Sequence, residues 1–225
     1  MKLNRRILLM AIVIAIGMTL TNCGGRNETP AKENQNKPKA AVAKTTTSKK
    51  LKPLSIYMYR YDDFPMAKSK SLCLELEKVY PSVILVKTAL PLPCKEYYKK
   101  GNRYRAAGLL DDLERFKNGG FALGMTDEII YHPNEKSPTW GIFGLGRTGK
   151  NVCVISSMRP KEHKLQSDDN MRKLMLHELG HAFGLNHCKD QHCFMVDAEH
   201  GDKFAQTPSF CNDCKQFLNS KGWKL

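Results

Sequence analysis

Three histidines lie close together in the segment H-E-L-G-H-A-F-G-L-N-H, which spans residues 177–187 of the 225-residue chain. His177 and His181 are four residues apart, so on a helix their imidazoles lie one turn apart on the same face. That arrangement lets one nitrogen of each ring reach a single zinc ion at about 2.0–2.1 Å. The spacing therefore predicts a metal site on a helix.

The neighbouring residues indicate a catalytic metal site. Glu178 follows the first histidine, where its carboxylate can take a proton from a water molecule on the same metal. Gly184 is placed to end the helix with a positive φ, after which the chain can turn back and bring His187 to the metal as a third neutral ligand. Three protein ligands leave one position open for water, as in catalytic zinc sites. We therefore expect hydrolysis by a metal-activated water, with Glu178 as the general base.

Four cysteines in two close pairs predict a second zinc ion. Cys188 directly follows the third histidine and Cys193 lies five residues further on, whereas Cys211 and Cys214 form a C-x-x-C motif. This spacing is typical of a closed tetrahedral site made by four thiolates. Two disulfides are the alternative, and an oxidising compartment would favour them.

The run H-E-L-G-H-A-F-G-L-N-H-C, followed by C-F-M and C-x-x-C, resembles the archaemetzincin family of zinc peptidases. The likeness extends upstream through R-Y-R-A at 103–106, L-G-M-T-D at 123–127 and W-G-I-F-G at 140–144, and it covers most of residues 53–225. The resemblance implies a metzincin-like α/β domain, a three-histidine catalytic zinc and a second zinc on four cysteines. It also implies that Met195 belongs to a Met-turn, an apolar floor beneath the histidines.

The elements that must position these residues can be predicted from the apolar pattern. Strands are expected at 53–59, 83–88, 121–131, 140–146 and 151–157. Helices are expected at 66–80, 103–117, 168–183 and 211–220. Strands and helices alternate early and helices dominate late, which predicts an α/β domain with one main sheet. The resemblance to the archaemetzincin family implies that this sheet is mixed. The helix at 168–183 carries the histidine pair, loop-rich residues 185–210 follow it, and a short helix ends the domain.

One motif competes with this interpretation. The segment G-L-G-R-T-G-K at 144–150 matches a phosphate-binding loop up to its lysine. The next residue is Asn151, where serine or threonine should bind magnesium, and a strand is predicted where a helix is required. Without a helix N-terminus the phosphate cradle is missing. We interpret the segment as a β-hairpin turn.

Residues 1–22 have the features of a lipoprotein signal peptide. Basic residues precede an apolar stretch from Ile7 to Leu20, which is short for a membrane span of about 20 residues. The stretch leads into L-T-N-C-G, which resembles a bacterial lipoprotein cleavage box with Cys23 as the lipidated residue. An uncleaved N-terminal anchor is the alternative. Either form predicts a membrane-anchored protein in the cell envelope, facing the periplasm or the exterior.

Residues 23–52 are expected to form a flexible basic linker, because they hold few large apolar side chains. They contain eight basic and two acidic residues, so much of the net charge of +14 lies outside the domain. Residues 53–225 carry a net charge of only about +5, which is ordinary for a soluble domain. No nucleic-acid partner is expected, because no compact basic face or stacking motif accompanies the charge.

The sequence thus predicts a zinc-dependent peptidase in residues 53–225, acting on peptide or protein substrates. Two other functions remain open. One is a zinc hydrolase of another amide substrate, and the other is a non-catalytic surface-binding lipoprotein that uses zinc for stability. The intact Glu178 argues against the second, since a purely structural site gains nothing from a base beside the metal.

Overall fold

The computed structural model describes residues 53–62, 64–159, 163–164, 167–197 and 206–225. The predicted signal peptide at 1–22, the lipidation site Cys23 and the linker at 23–52 lie outside the described residues. Within the described ranges, no helix has the length and apolar character needed to cross a lipid bilayer.

The elements follow one another in this order along the chain. The strands are β1 (Ile56–Arg60), β2 (Val83–Leu85), β3 (Tyr97–Tyr98), β4 (Arg103–Arg105), β5 (Phe121–Thr126), β6 (Ile130–Tyr131), β7 (Gly141–Ile142), β8 (Gly144–Arg147), β9 (Val152–Ser156), β10 (Met158–Arg159) and β11 (His163–Lys164). The α-helices are α1 (Met66–Glu77), α2 (Ala106–Leu113), α3 (Asp168–Phe183) and α4 (Asn212–Ser220). Short 3-10 helices lie at Cys94–Glu96, Lys99–Gly101 and Glu114–Phe116.

The main sheet has five strands in the order β2-β1-β5-β9-β8. Its first four strands are parallel, whereas β8 runs antiparallel to β9 and forms one edge. Strands β5 and β9 are buried along their whole length, as expected when both faces of a sheet are covered. A second sheet has the order β3-β4-β6-β7, and only Phe143 separates β7 from β8. The predicted α/β class with a mixed main sheet is confirmed.

Helices cover both faces of the main sheet. Helices α1 and α3 pack on one face, where Leu76 and Leu179 belong to the same buried cluster. Helix α2 packs on the other face, where Leu110 belongs to a second cluster. Because side chains alternate along a strand, Cys153 of β9 joins the first cluster and Val154 joins the second.

Helix α3 occupies the predicted range and is fixed at both ends. The Ser167 hydroxyl accepts a hydrogen bond from the Asn170 backbone N–H at 3.1 Å, which satisfies one of the free donors of the first turn. Asp168 and Asp169 place negative charge at the positive end of the helix. At the other end Gly184 has a φ of 117°, in the left-handed region that ends helices. The histidine pair therefore lies in the final turns of a well-capped helix.

The predicted helix at 103–117 begins later than expected. Its first three residues form β4, where the Tyr104 N–H donates to the Ile129 carbonyl at 2.8 Å and the strand pairs with β6. Helix α2 starts only at Ala106. Pairing with a strand more than twenty residues away has therefore overridden the helical pattern at these positions.

Two predicted strands are each divided. Residues 121–131 form β5 and β6, and residues 140–146 are divided between β7 and the start of β8. The segment at 144–150 is confirmed as part of a hairpin, since β8 and β9 pair antiparallel across a turn at 148–151. No helix follows this turn, so the phosphate-loop interpretation is excluded on structural grounds.

Candidate active site

The three predicted histidine ligands converge. One ligand nitrogen from each of His177, His181 and His187 lies within 4.8 Å of the other two. His177 and His181 come from consecutive turns of α3, and their Nε2 atoms are 3.1 Å apart. His187 comes from the loop beyond Gly184, and its side chain is 47% exposed. It therefore forms the solvent-facing side of the cluster.

Two backbone carbonyls orient the helical rings. Nδ1 of His177 donates to the Phe194 carbonyl at 2.6 Å, and Nδ1 of His181 donates to the Leu185 carbonyl at 2.7 Å. A carbonyl can only accept, so the proton of each ring is on Nδ1 and Nε2 keeps its lone pair. Burial, reinforced by the nearby His181, lowers the pKa of His177 to about 3, and burial also lowers the pKa of His181. Both rings are therefore neutral at pH 7.

The separation of the two lone pairs suits a shared cation. Two nitrogens bound tetrahedrally to zinc at about 2.05 Å are about 3.3 Å apart. The Nε2 atoms of His177 and His181 are 3.1 Å apart. Two acceptor nitrogens at this distance repel each other unless a cation lies between them. The donor set therefore fits a zinc ion.

Glu178 lies between α3 and the edge strand β8. The residue is only 6% exposed. Burial raises the pKa of its carboxyl group to about 8, although a hydrogen bond from the Gly146 backbone N–H opposes the rise. A cation at the histidines would favour the charged carboxylate and bring this pKa down. The Gly146 N–H thus helps to hold the carboxylate in one orientation.

Two glycines of β8 make room for this carboxylate. A Cβ at Gly144 would overlap with Oε1 of Glu178. A Cβ at Gly146 would lie 2.7 Å from the Cβ of His181. Because side chains two apart on a strand face the same side, both glycines face α3. Strand and helix can approach this closely only where β8 has no side chains.

Met195 packs directly beneath the histidine helix. It is fully buried, and its sulfur would be 2.5 Å from a Cβ placed on Gly180, the residue before His181. Its carbonyl accepts a hydrogen bond from the Cys188 N–H at 2.7 Å. Met195 therefore connects helix α3 to the cysteine-bearing loop.

The four predicted cysteine ligands also converge. The sulfurs of Cys188, Cys193, Cys211 and Cys214 all lie within 4.8 Å of one another, and no disulfide joins the cysteines of the described residues. The Cys188 and Cys211 sulfurs are 3.8 Å apart. Tetrahedral zinc with sulfur ligands at about 2.3 Å requires a separation of about 3.8 Å. The backbone N–H groups of Met195 and Cys211 donate to the Cys193 sulfur at 3.4 and 3.3 Å, which stabilises a thiolate.

Comparison with known proteins shows which family this sequence belongs to. A sequence model of Peptidase family M54 matches residues 108–220, a range that contains both clusters. The chain belongs to this family. It is therefore a zinc metallopeptidase. The archaemetzincin of Methanopyrus kandleri is 33% identical to it over 132 residues, which cover 56% of this chain and 72% of that protein.

Solved archaemetzincin structures share the fold of this M54 chain. The structure of the Methanopyrus kandleri protein matches with a TM-score of 0.62 and 28% identity, over 75% of this chain and 95% of that one. The Archaeoglobus fulgidus structure matches with a TM-score of 0.62 and 24% identity, over 73% of this chain and 99% of that one. At this identity, the Archaeoglobus fulgidus structure shows only that the two chains share a fold.

The sequence predicted side chains that the structure brings together, but it did not predict the groups that orient them. The Phe194 and Leu185 carbonyls are main-chain groups, which any residue type could supply. Gly144 and Gly146 were part of a segment interpreted only as a hairpin. The available signal was glycine at alternate positions of a predicted strand, which indicates close approach on one face.

Proposed function

We propose that this M54 peptidase hydrolyses peptide bonds at a zinc ion held by His177, His181 and His187, with Glu178 as the general base. The observation that carries the proposal is the pair of neutral imidazoles whose Nε2 atoms face each other at 3.1 Å, with the buried Glu178 next in sequence. A bound zinc ion supplies Lewis-acid polarisation of the scissile carbonyl and acidification of the attacking water.

The chain's own groups perform the proton transfers. Glu178 takes a proton from the attacking water and delivers it to the nitrogen of the leaving amine. The Gly146 N–H holds one side of this carboxylate, so its reactive oxygen keeps a fixed direction. Burial between α3 and β8 keeps competing water away from the carboxylate and strengthens its electrostatic interactions.

The edge strand β8 offers backbone groups to an extended substrate. The Phe143 carbonyl points towards β9 and accepts a hydrogen bond from the Ser156 N–H at 2.7 Å. The Gly146 N–H points away from β9 and donates to the Glu178 carboxylate. Backbone groups alternate between the two sides of an antiparallel strand, so Gly144 presents its N–H and C=O on the same side as Gly146. An extended peptide could pair there, next to the base. This arrangement favours a polypeptide substrate over another amide.

The proposed function is tested by zinc-dependent cleavage of a mixed peptide library. We expect the purified full chain to cleave peptides, to lose this activity on chelation and to regain it with zinc. His187→Ala should weaken zinc binding at the histidines by more than about 100-fold, because even residues that only support metal ligands change affinity by about 10–100-fold. His192→Ala, on an exposed residue of the next loop, is the control. Unchanged zinc affinity in His187→Ala would mean that the third ligand is misassigned.

We also propose a second zinc ion on the four cysteines. The supporting observations are the 3.8 Å sulfur separation and the two N–H donors to Cys193. Cys211 and Cys214 lie at the N-terminus of α4, whose positive end favours thiolates.

The envelope location is a further proposal, and it rests on the sequence of residues 1–23. Cys23→Ala should release the protein from the membrane fraction, because the apolar stretch is short and stable anchoring needs more than one acyl chain. Fractionation of cells, with mass spectrometry of the mature N-terminus, measures this. Cys94→Ala, which removes an exposed thiol of the domain, should stay with the membrane. A signal-cleaved Cys23→Ala protein that remains in the membrane fraction would rule out lipidation as the anchor.

A further inference from the structure

Arg147 is the only charged residue of β8, and it lies on the face of the strand opposite the active site. Side chains alternate along a strand, so Gly144 and Gly146 face α3 while Leu145 and Arg147 face α2. Leu145 packs against the buried cluster that contains Leu110 of α2. Strand β8 is therefore held between two helices, with glycines towards one and larger side chains towards the other.

The Arg147 guanidinium binds three acceptors on α2 and on the 3-10 helix that continues it at Glu114–Phe116. It donates to the Ala107 carbonyl at 3.3 Å, to the Glu114 carboxylate at 3.1 Å and to the Asp111 carboxylate. These positions are spaced by four and three residues, so they lie on one face of the helix. The planar fork of arginine suits several acceptors at once, which a single ammonium group cannot match.

The contact is important because β8 is an edge strand. Its backbone ladder joins it to β9 on one side only. Its distance from α3 decides whether the Gly146 N–H reaches the Glu178 carboxylate. With Gly144 also in close contact with that carboxylate, a displacement of β8 would turn or release it.

We infer that Arg147 is a positioning residue for the general base. By binding Asp111 and Glu114, it holds β8 at the distance from α3 at which Gly146 orients Glu178. The catalytic part of this inference rests on the proposed function, whereas the placement of β8 does not.

The test compares Arg147→Met with Arg115→Met in the zinc-loaded full chain. Arg115 pairs with Asp112 within the same helical segment, so its loss weakens α2 without releasing β8. In Arg147→Met we expect kcat to fall by about tenfold to 100-fold, since small displacements of catalytic groups have effects of this size. Zinc content should equal that of the parent. Amide hydrogen exchange of residues 144–147 should accelerate in Arg147→Met and keep the parent rate in Arg115→Met.

A second variant, Asp111→Ala with Glu114→Ala, removes both carboxylate partners and keeps the arginine. It should reproduce the loss of kcat, and adding Arg147→Met should lower kcat no further, because the three residues act as one unit. The inference is overturned if Arg147→Met behaves like Arg115→Met, or if the carboxylate variant keeps the parent kcat and exchange rates. If the parent itself cleaves no peptide, the proposed function fails, and the exchange rates alone decide whether Arg147 holds β8.

Discussion

Replacing Glu178 by glutamine should leave zinc binding intact and lower kcat/KM by about 10²–10⁴-fold, the usual contribution of a general base. Glutamine has nearly the same shape, and its amide oxygen can still accept the Gly146 hydrogen bond. The amide cannot take a proton from water near neutral pH. The loss corresponds to about 3–6 kcal/mol of transition-state stabilisation, at about 1.4 kcal/mol for each factor of ten.

The experiment requires zinc content and kcat/KM on the same preparations. Glu135→Gln, in the exposed loop between β6 and β7, makes the same chemical change away from the site and should match the parent. Equal turnover in Glu178→Gln and parent, with equal zinc, would show that another group is the base. A zinc-loaded parent that cleaves no peptide would instead favour another amide substrate or a non-catalytic binding role.

The burial of Glu178 is itself an argument for function. A carboxylate removed from water is destabilised unless hydrogen bonds or a cation compensate, and the raised pKa of Glu178 shows that the Gly146 bond does not compensate fully. Packing alone would favour an apolar residue at this position on α3. Buried groups with perturbed pKa values collect at functional sites, and a bound cation would supply the missing compensation.

Local signals sufficed to predict the helix that carries the site. Ser167 is a good N-cap, Gly184 adopts the positive φ that ends the helix, and the apolar spacing between them is helical. The hairpin from β8 to β9 was likewise predictable, because turn residues lie between two strand-like runs. Such features depend on residues within one or two turns of each other, which a single sequence displays directly.

The remaining parts of the site depend on distant partners. The residues of β4 look helical and become a strand because β6 lies beside them. The Phe194 carbonyl orients His177 across seventeen residues, and Arg147 reaches Asp111 of α2 across more than thirty. No local pattern encodes these pairings, so the sequence indicated candidate side chains for the chemistry but not the groups that hold them in position.

The cysteine cluster should also affect catalysis through long-range positioning of the histidines. Cys188 directly follows His187, and Cys193 directly precedes Phe194, whose carbonyl orients His177. Residues 185–196 pair with themselves and with Ser209 through isolated bridges, so the proposed zinc ion on the cysteines would add a restraint on this loop. Loss of a ligand there should loosen the loop and displace His187.

Cys211→Ser should therefore reduce the zinc content from two ions per chain to one. It should also lower kcat/KM by about tenfold or more, because removing groups that support a metal ligand has effects of this size. Cys94→Ser, an exposed thiol outside both clusters, should change neither quantity. Metal analysis and thiol counting on the non-reduced parent distinguish a zinc ion on four thiolates from two disulfides. Two zinc ions, with four thiols that react only after chelation, would support the thiolate site. Two disulfides would instead be shown by one zinc ion and no reactive thiol among Cys188, Cys193, Cys211 and Cys214. The loop would then be restrained by covalent bonds and not by a metal.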